Sequence, residues 1–264
     1  MIYINDFSRE FELTLHSLCK GSPYGARILA YYTAYCGKKY DFLDFWIQRS
    51  ADGRELCALC RYYSALIICG ACEDKGEIED FVSMLNPSSI FCDGTFELHT
   101  SGGYTEGETM KFCRTGVDCS EVCKIIKIGS DIGQLREVYN LLASENSRND
   151  VLPDFEGYFL DISHRIRHSV SEVYAVLNDE EKIIATAAVV AMADNCAVIG
   201  CVATHRSFRR QGIATNLVGR ITKSMLEDKR EVYLHRERKI GLYDKLGYVT
   251  IGEWREYYNG LYHT

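Results

Sequence analysis

Three arginines, a glycine and an alanine stand close together in a stretch suited to holding an anion. It runs Thr204-His205-Arg206-Ser207-Phe208-Arg209-Arg210-Gln211-Gly212-Ile213-Ala214-Thr215. Before it lies Val198-Ile199-Gly200-Cys201-Val202-Ala203, which reads as buried strand, and after it a helical pattern extends from about Gly212 to Asp228. A helix start offers unpaired backbone N–H groups and a partial positive charge. Gly212 has no side chain to keep a bulky anion at a distance, and Ala214 keeps the first turn thin. Arg206, Arg209 and Arg210 add positive charge, so the whole suits a diphosphate. Charge-assisted hydrogen bonds contribute about 1.5–3 kcal/mol each, and several together reach micromolar affinity. Taken alone, the same residues also fit a solvated basic loop that caps a helix; the preceding strand is what favours the anion site.

Two Cys-x-x-Cys pairs raise a different chemistry. Cys57/Cys60 and Cys69/Cys72 have the spacing of a zinc knuckle. The residues between them, 61–68, read as strand without the glycine or proline a knuckle needs. Cysteines on neighbouring strands are the expected reading, with no metal bound. A third segment, Ile240-Gly241-Leu242-Tyr243-Asp244-Lys245-Leu246-Gly247-Tyr248, places a tyrosine in a short helix downstream of the basic loop.

Taken together, Arg209-x-x-Gly212-x-Ala214 after Val202-Ala203-Thr204-His205, and the segment around Tyr243, resemble the GNAT superfamily of N-acetyltransferases over roughly residues 121–264. The resemblance implies a mixed, mostly antiparallel central sheet flanked by helices, an α/β (α+β) fold. It implies acetyl-CoA as co-substrate and a primary amine as acceptor, small molecule or peptide. Backbone groups of Val202, Ala203 and Thr204 would pair with the pantetheine arm as if it were an added strand. N–H groups from Gln211 to Thr215, including Gly212, Ile213 and Ala214, would meet the pyrophosphate, with Arg209 and Arg210 beside them. The strand would part from residues 231–235 to admit the thioester, and a bulge is expected near Gly200-Cys201. Tyr243 matches the tyrosine that protonates the departing thiolate. A phenol of pKa about 10 facing a thiol of about 8.5 makes that transfer only slightly uphill. The sequence departs from the family pattern at Arg206, where a proline is usual, at Tyr248 in place of phenylalanine, and at Arg236 in place of asparagine. Arg236 is a possible phosphate or adenosine contact. No carboxylate lies in residues 196–204, so a general base is not assigned; Glu156, Glu172, Asp194, His205, His235 and Glu237 are candidates. The rival reading is a non-catalytic acyl-CoA-binding or regulatory module.

Composition sets the frame for these residues. The chain has 264 residues, enough for two cores. Hydrophobic residues are 47% and charged residues 25%, an ordinary globular balance. A formal net charge of -7 argues against a nucleic-acid binder. Residues 1–120 carry 11 Lys/Arg and 17 Asp/Glu, whereas 121–264 carry 19 and 20, so the acid is concentrated in the first part. The start, Met1-Ile2-Tyr3-Ile4-Asn5-Asp6, does not look like a signal peptide. Many of the 12 cysteines sit in apolar runs, which fits a reducing cytoplasm. The apolar stretch 183–203 is broken by Asp194-Asn195 and reads as two strands joined by a turn, not as a membrane span.

The elements divide into two domains, 1–120 and 121–264. In the first, Phe7, Phe11, Leu15 and Leu18 predict a helix, followed by a second over 26–36. Strands are expected at 42–49, 55–62 and 64–70, a helix at 77–85 and a strand at 89–92. Residues 100–108, rich in Gly, Ser and Thr, read as a loop. In the second, a strand at 122–128 precedes a helix at 131–144 that shows Ile132, Leu135, Val138 and Leu142 on one face. A helix at 155–168 and strands at 172–177, 182–193 and 196–204 follow. After the helix from Gly212 come a strand at 231–235, a short helix at 240–246 and a strand from Tyr248. The halves share this order, and the first reads as a smaller or degenerate domain of the same kind. Its counterpart loop, Ala71-Cys72-Glu73-Asp74-Lys75-Gly76, is acidic and unsuited to a diphosphate.

Overall fold

The computed structural model describes residues 1–71, 73–114, 123–145, 152–237 and 240–259. They form two compact units. Unit 1 holds residues 1–110, 235–237 and 250–259; unit 2 holds the described residues of 111–234 and 240–249. A single boundary at 120/121 falls outside the described residues, as do Cys72 and Val122.

Unit 1 begins with β1 (Ile2–Ile4), α1 (Arg9–Cys19), α2 (Pro23–Tyr35), β2 (Leu43–Arg49), β3 (Glu55–Tyr62), β4 (Ala65–Gly70), α3 (Lys75–Leu85) and β5 (Ser89–Asp93). The chain then follows β6 (Tyr104–Phe112), whose last two residues belong to unit 2. Unit 2 continues with β7 (Lys124–Ile128), α4 (Ile132–Glu145), α5 (Phe155–Arg167), β8 (Glu172–Leu177), β9 (Ile183–Ala193), β10 (Cys196–Thr204), α6 (Ile213–Glu227), β11 (Glu231–Arg236), whose last two residues belong to unit 1, and α7 (Gly241–Leu246). The final strand, β12 (Tyr248–Tyr258), starts in unit 2, and its residues from Thr250 onward belong to unit 1.

The two units repeat one plan: strand, two helices, three strands, helix, strand. Their sheets repeat it too, with orders β1-β2-β3-β4-β5 and β7-β8-β9-β10-β11. Neighbours pair antiparallel except the last pair of each series, β4 with β5 and β10 with β11, which are parallel. A helix lies between the two strands of each parallel pair, as a crossover requires. In unit 1 the sheet continues past β5 through residues 250–258 of β12, which pair antiparallel with β5 at 254–258.

Local chemistry accounts for the element ends. Ser8 accepts from the Phe11 N–H and caps α1, and Ser22 accepts from the Tyr24 and Gly25 N–H groups at the start of α2, with Pro23 in its first turn. Asp74 accepts from the Glu77 N–H at the start of α3. Because Ser8 caps α1, Phe7 stands outside it with φ +59° and is half exposed; Cys19 takes the inward position beside Phe11 and Leu15. Likewise Leu141, not Ile132, joins Leu135, Val138 and Leu142 on the inner face of α4. Helix α2 starts three residues earlier than the periodicity suggests, at the proline. Residues 104–108, expected as loop, begin β6. Cys57 and Cys60 of β3 and Cys69 of β4 are buried on neighbouring strands.

Each unit has a buried cluster of its own. In unit 1, Leu59, Leu66, Ile68, Ile78, Ile90 and Phe96 lie in one cluster. In unit 2, Leu135, Val138, Ile162 and Val173 form another, against which Tyr158 and Ala203 are packed. A fully buried side chain of this kind contributes about 1.5–3 kcal/mol. Among the described residues, no helix is long and apolar enough to cross a membrane.

Candidate functional site

Strand β10 carries the features that the sequence singled out. It pairs in parallel with β11 from Cys196/Glu231 to Ile199/Leu234, and no further among the described residues. The backbone from Gly200 to Thr204 therefore has no strand partner on that side. On its other side β10 pairs with β9, but the ladder slips twice. Ile199 faces Val189 after Val198 faces Ala191, and Cys201 and Val202 together oppose the single residue between Ala188 and Thr186. That second slip is a bulge, and Cys201 within it takes φ +51°. Gly200 belongs here by size as well: a Cβ would come within 3.1 Å of the Val190 side chain. The expected bulge and the parting from β11 are thus both present. Cys201 is exposed, and Val202, Ala203 and Thr204 are half buried.

Beyond β10 the chain makes a single 3-10 turn at Arg206–Phe208 and reaches α6 through Arg209, Arg210, Gln211 and Gly212. His205 Nδ1 accepts the Ser207 N–H at the head of that turn. Gly212 is the residue before α6, with φ +78° and no side-chain hydrogen bond across the helix start. A Cβ built on it meets nothing within 4 Å. The left-handed backbone is a reason for glycine here beyond the room it leaves, one that the sequence alone did not show. Arg210 also has a positive φ, +66°. Successive N–H groups in such a turn converge into an anion-binding concavity. The first turn of α6 holds Ile213, Ala214 and Thr215 with no acidic residue. Arg206, Arg209, Arg210 and Gln211 are exposed.

Arg209 has a more structural position than its type suggests. Its Nε donates to the Thr204 carbonyl at 3.0 Å, and its guanidinium pairs with Glu145, the last residue of α4. The other Glu145 oxygen accepts the Arg206 N–H at 3.0 Å. One carboxylate thus ties the basic loop at two points, and Glu145 is the residue that the sequence reading passed over. A signal was available: a glutamate in a helix's last turn opposes the helix dipole, so it invites a search for a cationic partner elsewhere.

Two observations make the site fit an extended, hydrogen-bonding ligand that ends in an anion. The Thr204 hydroxyl is buried with no partner among the described residues, an arrangement that costs about 1–3 kcal/mol until a partner arrives. The uncapped start of α6 lies eight positions on in the same chain segment. The residues present therefore suit a pantetheine-like arm along Val202, Ala203 and Thr204 and a diphosphate at residues 211–215.

Tyr243 lies on α7, half buried, its ring 6.2 Å from that of Tyr248. Helix α7 is packed on α6 and closes at Gly247 with φ +104°. Tyr248 is buried, its hydroxyl 2.6 Å from that of Thr222 on α6, and burial pushes its phenol above the ordinary range. A tyrosine in place of phenylalanine is therefore satisfied within unit 2. The basic position at Arg236 is not available to a phosphate: the residue is buried and its Nε donates to Glu108. The base candidates also divide. Glu172 is held by Lys127 and by the Tyr174 hydroxyl. His235 is enclosed by Tyr24 and Phe91, with neither ring nitrogen bonded; burial first, and then Arg27, push its pKa well below 6.5. His205 is used in the turn, and Glu156 lies in the first turn of α5. Asp194 lies in the β9–β10 turn, at the end of β10 away from the bulge, and Glu237 follows β11. Among the described residues no group of three His, Cys, Asp or Glu side chains could hold a metal.

Residues 135–248 match the acetyltransferase (GNAT) family model. No curated protein matches the sequence. Several solved structures share the fold. A tandem GNAT protein from the clavulanic acid biosynthesis pathway is 12% identical, with 100% of this chain and 99% of that one covered at a TM-score of 0.62. A GCN5-related N-acetyltransferase from Sphaerobacter thermophilus is 14% identical, with 98% and 95% covered at 0.60. Another from Kribbella flavida is 13% identical, with 78% and 88% covered at 0.56. At such identities the likeness is one of fold, and the tandem neighbour spans both units.

Proposed function

With residues 135–248 a GNAT-family domain, we propose that this chain transfers an acetyl group from acetyl-CoA to a primary amine. The observation that carries the proposal is the open edge of β10 beyond Ile199, with its bulge at Cys201 and the uncapped start of α6 after it. The co-substrate supplies an acyl group activated as a thioester. The chain's residues hold and orient it. N–H and C=O groups of Val202, Ala203 and Thr204 pair with the arm, and the Thr204 hydroxyl gains a partner. The N–H groups of residues 211–215 and the Arg210 guanidinium face the diphosphate, while Arg209 is engaged by Glu145 and the Thr204 carbonyl.

A backbone N–H near the bulge polarises the carbonyl to be attacked, and Tyr243 Oη gives its proton to the departing thiolate. These are positioning and electrostatic effects with no covalent intermediate on the protein. The acceptor amine arrives neutral or loses its proton to water, since no carboxylate stands on β10. The acceptor is a small molecule or a peptide rather than a nucleic acid, and the free cysteines suit a reducing cytoplasm.

The test is Tyr243→Phe. CoA affinity, measured by calorimetry, stays within twofold of wild type. Acetyl-CoA thiol release with a panel of polyamines, amino acids, aminoglycosides and peptide N-termini falls at least tenfold. If neither protein releases thiol with any amine, transfer is wrong and the alternative, a non-catalytic acyl-CoA-binding module, stands.

A further inference from the structure

Unit 1 has its own crevice at the ends of its parallel strands. Strands β4 and β5 pair at Ala65–Ile67 with Ser89–Phe91 and part beyond. Cys69 and Gly70 from the end of β4, and Asp93 from the end of β5, line a cavity of about 270 Å³ whose other walls include Ser22, Tyr24 and Thr109. Crevices at the carboxyl ends of parallel strands are where α/β sheets commonly bind ligands.

The polar groups there select a charge. The start of α2 faces the cavity, but its donors are already used. The Ser22 hydroxyl accepts both the Tyr24 and Gly25 N–H groups at 3.2 Å, and Pro23 has none to give. The Ser22 oxygen also accepts the Cys69 thiol at 3.3 Å. The Tyr24 hydroxyl lies 2.8 Å from Thr109 Oγ1 and donates to the Glu253 carbonyl at 3.1 Å. Asp93 accepts the Thr95 N–H through Oδ1 at 3.0 Å, and among the described residues its carboxylate has no cationic partner. No basic side chain lines the cavity. An anion would meet a carboxylate; a cation would meet a carboxylate and hydroxyl oxygens beside the apolar Leu18, Pro23 and Ile251.

We propose that this cavity binds a small primary ammonium compound, with Asp93 as its counter-ion and the Tyr24 and Thr109 hydroxyl oxygens as further acceptors. The site belongs to unit 1 alone and does not rest on the reading of unit 2. An ammonium group that donates to a carboxylate makes the stronger, charge-assisted kind of hydrogen bond. The neutral alcohol of the same length lacks that bond.

The experiment uses the full chain and three probes: n-butylammonium, n-butanol and butyrate, followed by ligand-observed NMR. The ammonium binds at least tenfold more tightly than the alcohol or the acid. Asp93→Asn keeps an oxygen for the Thr95 N–H and removes only the charge, so its thermal midpoint stays near wild type while ammonium affinity drops at least tenfold. A second readout locates the probe. The Cys69 thiol, held below the ordinary thiol range chiefly by its hydrogen bond with Cys19, lines the cavity. Bound ammonium slows its alkylation by iodoacetamide, mapped by peptide mass. Equal binding of alcohol and ammonium, retained affinity in Asp93→Asn, or an unprotected Cys69 each overturns the proposal. Should Asp93→Asn fail to fold, the wild-type probe comparison and the Cys69 protection decide it alone.

Discussion

Two helix starts in this chain occupy the same place in two copies of one plan, and their chemistry is opposite. Helix α6 begins after Gly212 with a left-handed backbone, no side-chain cap, no acid in its first turn and exposed arginines before it. Helix α3 begins after Asp74, whose carboxylate takes the Glu77 N–H, and Glu73 stands just before it. The strand leading to α6 bulges, whereas β4 keeps an unbroken register with β3 from Cys57/Gly70 to Tyr62/Ala65. In unit 1 the protein's own carboxylate caps the helix start that in unit 2 has no side-chain cap. The topology is shared, and the diphosphate site proposed for unit 2 rests on a handful of loop residues.

The sharpest way to break this comparison is to write the unit 1 solution into unit 2. Gly212→Asp places a carboxylate at the start of α6 and a side chain at a left-handed residue, which costs about 1–2 kcal/mol by itself. CoA affinity measured by calorimetry should fall at least a hundredfold, about 2.7 kcal/mol, with the fold retained by circular dichroism. Unchanged affinity would mean that the diphosphate binds elsewhere.

The reciprocal change has a smaller effect of another kind. Asp74→Ala removes the cap of α3 and should lower stability by about 1 kcal/mol, read from a urea midpoint. It should leave CoA affinity untouched, because unit 1 still lacks the arginines. A change in CoA binding would show that the two helix starts are not independent.

The smallest effect sharpens the role of the clamp. Glu145→Gln keeps an oxygen for the Arg206 N–H but leaves the Arg209 guanidinium uncompensated. CoA affinity at low salt should rise about threefold, roughly 0.7 kcal/mol, and the gain should shrink as salt screens the charge. A tenfold loss instead would mean that the ion pair is required to shape the loop.

Much of this contrast was legible in the residues. Gly212, Ala214 and the preceding strand read correctly as one strand–loop–helix segment because their cues are local: apolar run, basic loop, helical period. The acidic loop at Glu73-Asp74 was legible for the same reason. What escaped depended on distant partners. The pairing of Arg209 with Glu145, 64 positions earlier, cannot be read without the fold. Arg236, open as a phosphate or adenosine contact in the sequence, has its partner Glu108 far back in the chain. Strand β6 begins among Gly, Ser and Thr and has weak intrinsic preference; contacts such as Thr105 with the Tyr258 hydroxyl, and Thr109 with that of Tyr24, hold it extended. The three-residue β1 had too few positions to show a period and is fixed by pairing with β2.

The pairing of β5 with β12 bears on the order in which the molecule can assemble. Phe91 faces Glu256, and Cys92 faces Arg255. The Tyr257 hydroxyl donates to the Phe96 carbonyl, and its ring belongs to the unit 1 core. Residues 1–100 therefore lack part of their own sheet until nearly all of unit 2 has been translated. Contacts of such sequence separation close slowly. Until they close, β5 presents an unpaired edge in the nascent chain, the kind of surface that invites chaperone capture or aggregation.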